Sequence, residues 1–278
     1  MNWVKLDQIE NERLFQARAQ LHQAVQLLTA TGISFVSPRP DDSHTAITWN
    51  PDSNDLMSQA FGKGDTFRVS LRPLDLSLRV FHGDDTPMEM NLNGVTLKQA
   101  ATDLLFFLED HGLPAGSFTM ERHFELPDYP SRWETAFDVS DSGAFQSLSS
   151  SYSNAFQYIQ DIAQSDPRAS SILVWPHHFD LATLIDLGAG KSIGIGISPG
   201  DDSYTAPYYY VNVWPYPSAE QVLELPLKQG QWHTAGWTGI VLTFEEIAAE
   251  SNEVQQFEMV KAFLKQALSH SEKIGTSN

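Results

Sequence analysis

The sequence predicts an α+β protein of two similar halves, each a mostly antiparallel sheet covered by amphipathic helices. Three observations carry that reading. Segments with apolar residues every three or four positions alternate with groups of short period-two segments, not with single strands. Turn signals separate those short segments closely enough for hairpins. The order of helix, several strands and capped helix also occurs twice: "GDDT" at Gly83 to Thr86 is matched by "GDDS" at Gly200 to Ser203, and "VTLKQ" by "LTFEE", which raises an internal duplication.

The first half covers residues 1–113. A helix is expected from Ile9 to Thr31, with Leu14, Arg18, Leu21, Val25 and Leu28 on one stripe and Gly32 as its stop. Strands are expected at Ile33 to Ser37, His44 to Asn50, Thr66 to Arg72, Leu76 to His82 and Met88 to Asn93. Thr96 then caps a helix whose buried face is Leu97, Ala101, Leu104 and Leu108, with Gln99 reaching back in a capping box and Gly112 ending it.

Residues 114–143 are rich in proline and turn residues and read as a connector, with one strand at Phe118 to Leu126. In the second half, residues 144–278, the cleanest helical periodicity joins Phe145, Leu148, Tyr152, Phe156, Ile159 and Ala163. Strands follow at Ser171 to Trp175, Phe179 to Leu187, Ser192 to Ser198, Tyr208 to Trp214 and Trp237 to Leu242. The closing helix opens on a capping box of Thr243 and Glu246 and breaks at Ser251 and Asn252.

Composition narrows the function classes. With 278 residues and 41% apolar side chains the chain can bury a core without staples. It has no cysteine, which removes disulfides and thiol chemistry and makes a reducing cytoplasm the expected compartment. The N-terminus lacks a basic segment leading into an apolar run, and no stretch approaches the ~18 apolar residues of a membrane helix, so a soluble, unprocessed protein is expected. The net charge of −18 opposes approach to a polyphosphate, and the one basic cluster, Lys63, Arg68, Arg72 and Arg79, reads as solvated strand edges, so nucleic acid is not an expected partner.

The stretch "GAGKSIGIGISPGDD" from Gly188 to Asp202 imitates two nucleotide motifs and satisfies neither. A P-loop needs glycine five residues before that of "GK[ST]", and Ile185 stands there. A dinucleotide fingerprint needs a third glycine where Pro199 stands. The segment reads as a strand with Ile193, Ile195 and Ile197 facing a core and Ser192, Gly194, Gly196 and Ser198 leaving the other face nearly bare. A helix, another backbone or a ligand could approach that face closely, and helix packing is the leading expectation.

Residues able to carry chemistry gather around it. In "WPHHFD", Trp175 to Asp180, His178 would share a side with Asp180, and Asp201 and Asp202 follow in a turn. A histidine and carboxylates can hold Zn²⁺, Mn²⁺ or Fe²⁺, although no recognised ligand spacing is present and the tight turn alone accounts for the aspartates. Tyr208, Tyr210, Asn212 and Trp214 would line one strand face, as aromatic rings with polar tips do in ligand grooves and at core edges. His123 and His233 are lone histidines read as structural, His44 has aspartates nearby but no partner motif, and the "SSSYS" serines at Ser149 to Ser153 are read as solvent-facing.

The motifs "WPHHFDLATLIDLG", "IGISPGDDSYTAPYYYVNVWP" and "GWTGIVL" resemble, in that order, a family of uncharacterised bacterial proteins whose members read approximately W-P-E-H-F-D, S-P-G-D and E-P-Y-x-Y-V. The resemblance covers Trp175 to Trp214 and carries no activity. His177 and Ala206 stand where the family tends to have glutamate, while His178, Asp180, Ser198, Gly200, Asp201, Pro207, Tyr208 and Tyr210 match its pattern.

The expectation is therefore a small-molecule binding module in the second half. Its pocket for a polar or sugar-like ligand would be built from Trp175, His178, Asp180, Ser198, Gly200, Pro207, Tyr208, Tyr210 and Trp214. The alternative is a metal-dependent hydrolase with His178 as base or ligand, Asp180 positioning it and Asp201 holding a divalent metal or a substrate cation. A third reading is a protein-interaction module with an aromatic surface.

Overall fold

A computed structural model describes residues 3–129, 134–223 and 225–276, so residues 130–133 of the expected connector lie outside the described residues. The fold is α+β, with 36% helix, 24% strand and two antiparallel sheets of five and six strands. The chain forms two compact units. One comprises Glu12–Ser149 with Val174–Phe179, here the N-terminal unit; the other comprises Met1–Asn11, Ser150–Leu173 and Asp180–Asn278, the C-terminal unit.

In the N-terminal unit the expected single helix is two, α1 (Asn11–Ala24) and α2 (Gln26–Phe35). Arg18, the charged interruption of the apolar stripe, is buried with its guanidinium 5.0 Å from the Phe15 ring centre. Every residue of α2 from Gln26 to Gly32 is buried, the signature of a core helix. The helix runs past Gly32, so the strand expected at Ile33 to Ser37 does not form. Gly32 serves a close approach and not a stop: a Cβ there would lie 2.5 Å from the His44 carbonyl oxygen.

The five strands β1 (Thr48–Asn50), β2 (Asp55–Met57), β3 (Phe67–Arg72), β4 (Ser77–His82) and β5 (Met88–Asn91) form a meander in chain order. Val69 opposite Val80 and Leu71 opposite Leu78 are fully buried pairs of its core face. The first strand starts four residues later than expected. His44 instead sits in a turn, where the Asp41 carboxylate accepts from Ser43 and Thr45 N–H donates to the Asp42 carbonyl. Strand β2 escapes sequence analysis because three residues are too few to display a period.

Helix α3 (Leu97–Asp110) is capped by the Thr96 hydroxyl, which accepts from Gln99 N–H at 3.1 Å. The reciprocal half of the expected box is absent, because the Gln99 amide donates to Asp103 instead. No strand forms at Phe118 to Leu126. That stretch follows a single 3-10 turn (Ala115–Ser117) and is held by side chains: Thr119 N–H donates to the Ser34 hydroxyl, and Phe118 stacks near Phe35.

Helix α4 (Ser142–Ser165) follows, and the division between the units falls within it. Ser149, Ser150 and Ser151 are buried, not solvent-facing. Small side chains suit a packed helix surface, where a hydroxyl can return a bond to its own backbone.

The second sheet is formed by the strands β6 (Leu173–Trp175), β7 (Asp180–Gly188), β8 (Lys191–Ser198), β9 (Tyr208–Trp214), β10 (Gln231–His233) and β11 (Gly239–Thr243) in the order β10-β11-β9-β8-β7-β6, and all of it but Val174 and Trp175 of β6 lies in the C-terminal unit. A short helix α5 (Ala219–Val222) precedes β10. The Thr243 and Glu246 side chains form the full reciprocal capping box of α6 (Phe244–Ala248), and the break expected at Ser251 and Asn252 separates it from α7 (Glu253–Thr276). Helix α7 covers the apolar face of the sheet: a Cβ on its Gly275 would meet Leu187 and Val213. The N-terminal segment is fastened to the same helix by fully buried Gln256, which accepts from Trp3 Nε1–H and Leu6 N–H and donates to the Leu6 carbonyl.

Candidate functional site on the C-terminal sheet

Antiparallel register decides which side chains meet on the sheet face away from α7. Ala182, Gly196 and Tyr210 form one cross-strand row, Leu184, Gly194 and Asn212 the next, and Asp186, Ser192 and Trp214 the third. Ile193, Ile195 and Ile197 point the other way and are buried, as their alternation requires.

The expected bare face is not bare. A Cβ on Gly196 would be 2.6 Å from the Tyr210 ring, one on Gly194 would be 2.4 Å from Asn212 Oδ1, and one on Gly239 would be 2.5 Å from the Trp237 ring. Each glycine is roofed by a side chain of the same unit, so these glycines exist to let aromatic and amide groups lie flat across neighbouring strands.

Those side chains are tied down at their polar ends. The Tyr210 hydroxyl donates to Asp180 Oδ2 at 2.5 Å and the Tyr208 hydroxyl to Asp201 Oδ2 at 2.6 Å. Burial first, and the adjoining carboxylates second, push both phenols above their ordinary range, which keeps them neutral donors. Asp201 Oδ1 also accepts from Ser203 and Tyr204 N–H, closing the turn, and the Ser198 hydroxyl accepts from Gly200 N–H, whose φ is +115°. Pro207 is buried, and its carbonyl accepts from Phe244 N–H at the entry to α6. Asp180 and Asp201 therefore meet tyrosines, and their arrangement fixes a platform. His233 completes it. Its Nε2 donates to the Ala235 carbonyl, which leaves Nδ1 to accept from the Tyr204 hydroxyl at 3.2 Å. Trp237 packs 4.4 Å from the His233 ring.

The third row is different in kind. Trp214 is 54% exposed and Leu184 48%, with small Ser192 and Gly194 between them on β8. Beside them runs an open groove of about 420 Å³ lined by Ser170, Leu184, Asp186, Lys191, Ser192 and Arg168, among others. Arg168 is ion-paired with Asp166 and Glu272, and Lys191 Nζ donates to the Gly275 carbonyl. The groove thus carries held cations, one exposed carboxylate and apolar walls.

Trp175 and His178 belong to the other unit. The turn after Trp175 closes through Phe179 N–H to the Trp175 carbonyl, with Phe179 at φ +59° and buried. His178 is exposed, its ring 4.3 Å from that of half-buried His177. Burial, and then His178, lower the His177 pKa to about 4, so His177 is neutral at pH 7. His123 pairs with Asp42 at 3.3 Å. Among the described residues no group of three or more His, Asp and Glu is placed to hold a metal ion. No helix of those residues is long and apolar enough to cross a membrane.

Sequence reasoning missed His22, the most enclosed histidine of the N-terminal unit. It is 1% exposed, stacks on Phe179 with ring centres 5.1 Å apart, and bonds through both ring nitrogens. One signal was available: His22 stands four residues after Arg18, on the same helix stripe. Against known proteins, the chain matches no family model, no curated protein and no solved structure.

Proposed function

We propose that this protein binds a small polar, sugar-like ligand on the outer face of its C-terminal sheet, along the row of Trp214, Ser192 and Asp186. The observation that supports this reading is the pairing of an exposed tryptophan and an exposed leucine across a floor of serine and glycine, beside a groove with fixed polar groups. A sugar ring has an apolar C–H face and a polar rim. The first suits an indole, and the second suits Asp186, Ser192 and Asn212. The Tyr208, Tyr210 and Trp237 platform keeps the neighbouring row rigid, so a ligand orders little on binding.

An open shelf of this kind supports an affinity on the order of 1 mM, about −4 kcal/mol. The test is titration with methyl glycosides followed by ¹H–¹⁵N correlation spectra of the folded protein. Saturable shifts confined to β7, β8 and the end of β9, lost in Trp214→Ala and kept in His178→Ala, are the expected result. No saturable shift with any neutral glycoside would end the reading. If Trp214→Ala instead abolished a concentration-dependent increase in size, the same face would be an interaction surface.

A further inference from the structure

Asn212 stands on β9 between Tyr210 and Trp214 and shares their sheet face, in the row that joins Leu184, Gly194 and Gly239. Glycine on both neighbouring strands gives the asparagine its room. A Cβ on Gly194 would collide with Asn212 Oδ1 and lie 3.6 Å from Leu184 Cδ2, so the amide leans over β8 toward the exposed leucine. A Cβ on Gly239 would collide with the Trp237 ring and lie 3.0 Å from Asn212 Cβ, so the indole packs at the foot of the same side chain. Trp237 is itself held against the His233 ring, which fixes that wall.

The polar ends around Asn212 are engaged, and its own is not. The Tyr210 hydroxyl donates to Asp180, and the two His233 nitrogens meet Tyr204 and Ala235. Asp186 Oδ1 accepts from Gly188 N–H. The Asn212 amide makes no hydrogen bond among the described residues, and neither of its polar atoms is sealed from solvent. The residue is half-buried, so packing positions the amide while its donor and acceptor stay open. Such a group costs a ligand little ordering.

Its chemistry is selective. A carboxamide presents one acceptor beside one N–H donor group. A carboxylate would set an oxygen against Oδ1, and an ammonium would set its hydrogens against those of Nδ2. Two neighbouring hydroxyls satisfy both ends. Because each hydroxyl both donates and accepts, they do so whichever way the amide is turned. Strand geometry places Asn212 about 7 Å from Trp214 along β9, within reach of the rim hydroxyls of a pyranose ring laid on that indole. Building on the glycoside reading of this shelf, we infer that Asn212 is its specificity-determining residue and that the ligand is a sugar with a vicinal diol, one hydroxyl donating to Oδ1 and the next accepting from Nδ2.

The probes are methyl glucoside, galactoside and mannoside, each with its 3-deoxy and 6-deoxy analogues. Both analogues lack one hydroxyl, but only loss of the 3-hydroxyl leaves the pyranoside without neighbouring ring hydroxyls. Binding to the full chain is read from the backbone amides of Ser192 and Asp186. Engagement of the asparagine is read from its side-chain amide resonances, which Asn212→Leu identifies by their loss. For a parent sugar that binds, the 6-deoxy analogue is expected to match it within about twofold, whereas the 3-deoxy analogue binds about fivefold more weakly and leaves the Asn212 resonances unmoved. Asn212→Leu should bring the two analogues to equal affinity. Asn212→Asp keeps the shape and the acceptor but loses the donor, and it should narrow the gap to about twofold, so the comparison stands even where the leucine variant misfolds. Equal binding of the two analogues by the wild type, or a gap undiminished in the folded variants, would overturn the inference and leave the shelf in place. Failure of every parent sugar to bind would instead remove the shelf, and the diol assignment with it.

Discussion

His22 makes a pH dependence that can be worked from the structure. Its pKa falls from 6.5 to about 3 because the folded unit removes it from water and leaves no room for a second proton on Nδ1, which the Tyr129 hydroxyl occupies. The folded state binds the neutral ring. Stability from this group is therefore complete above pH 6.5 and is lost as pH falls from 6.5 toward 3, since the unfolded chain takes up a proton that the folded one refuses. The slope approaches about 1.4 kcal/mol per pH unit once the unfolded imidazole is protonated, so a fall from pH 7 to 4.5 removes about 2.5 kcal/mol. His22→Gln supplies the comparison. It loses about 2 kcal/mol at pH 7 through its missing hydrogen bonds but has no proton to gain. Urea denaturation followed on α2 amide resonances between pH 7 and 4.5 should show the wild type's lead of about 2 kcal/mol close and slightly reverse, a relative change of about 2.5 kcal/mol. Parallel curves, or a His22 resonance that titrates near 6.5 in the folded protein, would refute the reasoning.

Gly196→Ala should cost about 3 kcal/mol or more, because the added methyl meets the Leu181 carbonyl at 2.8 Å as well as the Tyr210 ring. Gly194→Ala, obstructed by the movable tip of Asn212, should cost less, and similar values for the two in chemical denaturation would contradict the roofing argument. Gln256→Leu removes three buried hydrogen bonds to Trp3 and Leu6, and the Leu6 amide should exchange at least tenfold faster while amides at the centre of β8 change little. Arg79→Gln leaves the Asp55 carboxylate, 1% exposed, without the cation at 3.3 Å. It should cost about 3 kcal/mol at pH 7. The loss should shrink as pH falls, since burial already raises the Asp55 pKa; a loss independent of pH would count against the pair.

What the sequence made legible follows from the range of the interactions involved. Strand β9 was read to the residue, because Tyr208 to Trp214 alternate cleanly and end at a proline. The Thr243 and Glu246 box was equally plain, since both partners lie within four residues. The end of α2 is not legible because Gly32 resembles a C-cap, and only the His44 backbone, twelve residues away, explains why glycine stands there. Phe118 to Leu126 alternates like a strand but finds no ladder partner, and its contacts with Ser34 and Phe35 are invisible to local pattern. At the candidate site, the sequence offers Asp180, Asp201, Tyr208 and Tyr210 as ligand or metal contacts, and the structure places them in two pairs that hold one another on the C-terminal sheet. That they bond each other depends on register, and register is a tertiary property.

Glycoside binding by this protein rests on the shelf around Trp214. The measurement closest to it is a methyl glycoside titration of the wild type beside Trp214→Ala and Leu184→Ala, followed on the backbone amides of Ser192 and Asp186. Saturable shifts in the wild type, weakened about tenfold by Leu184→Ala and absent in Trp214→Ala, are predicted. Shifts that persist unchanged without the indole, or amides that stay silent at the highest glycoside concentration, would contradict it.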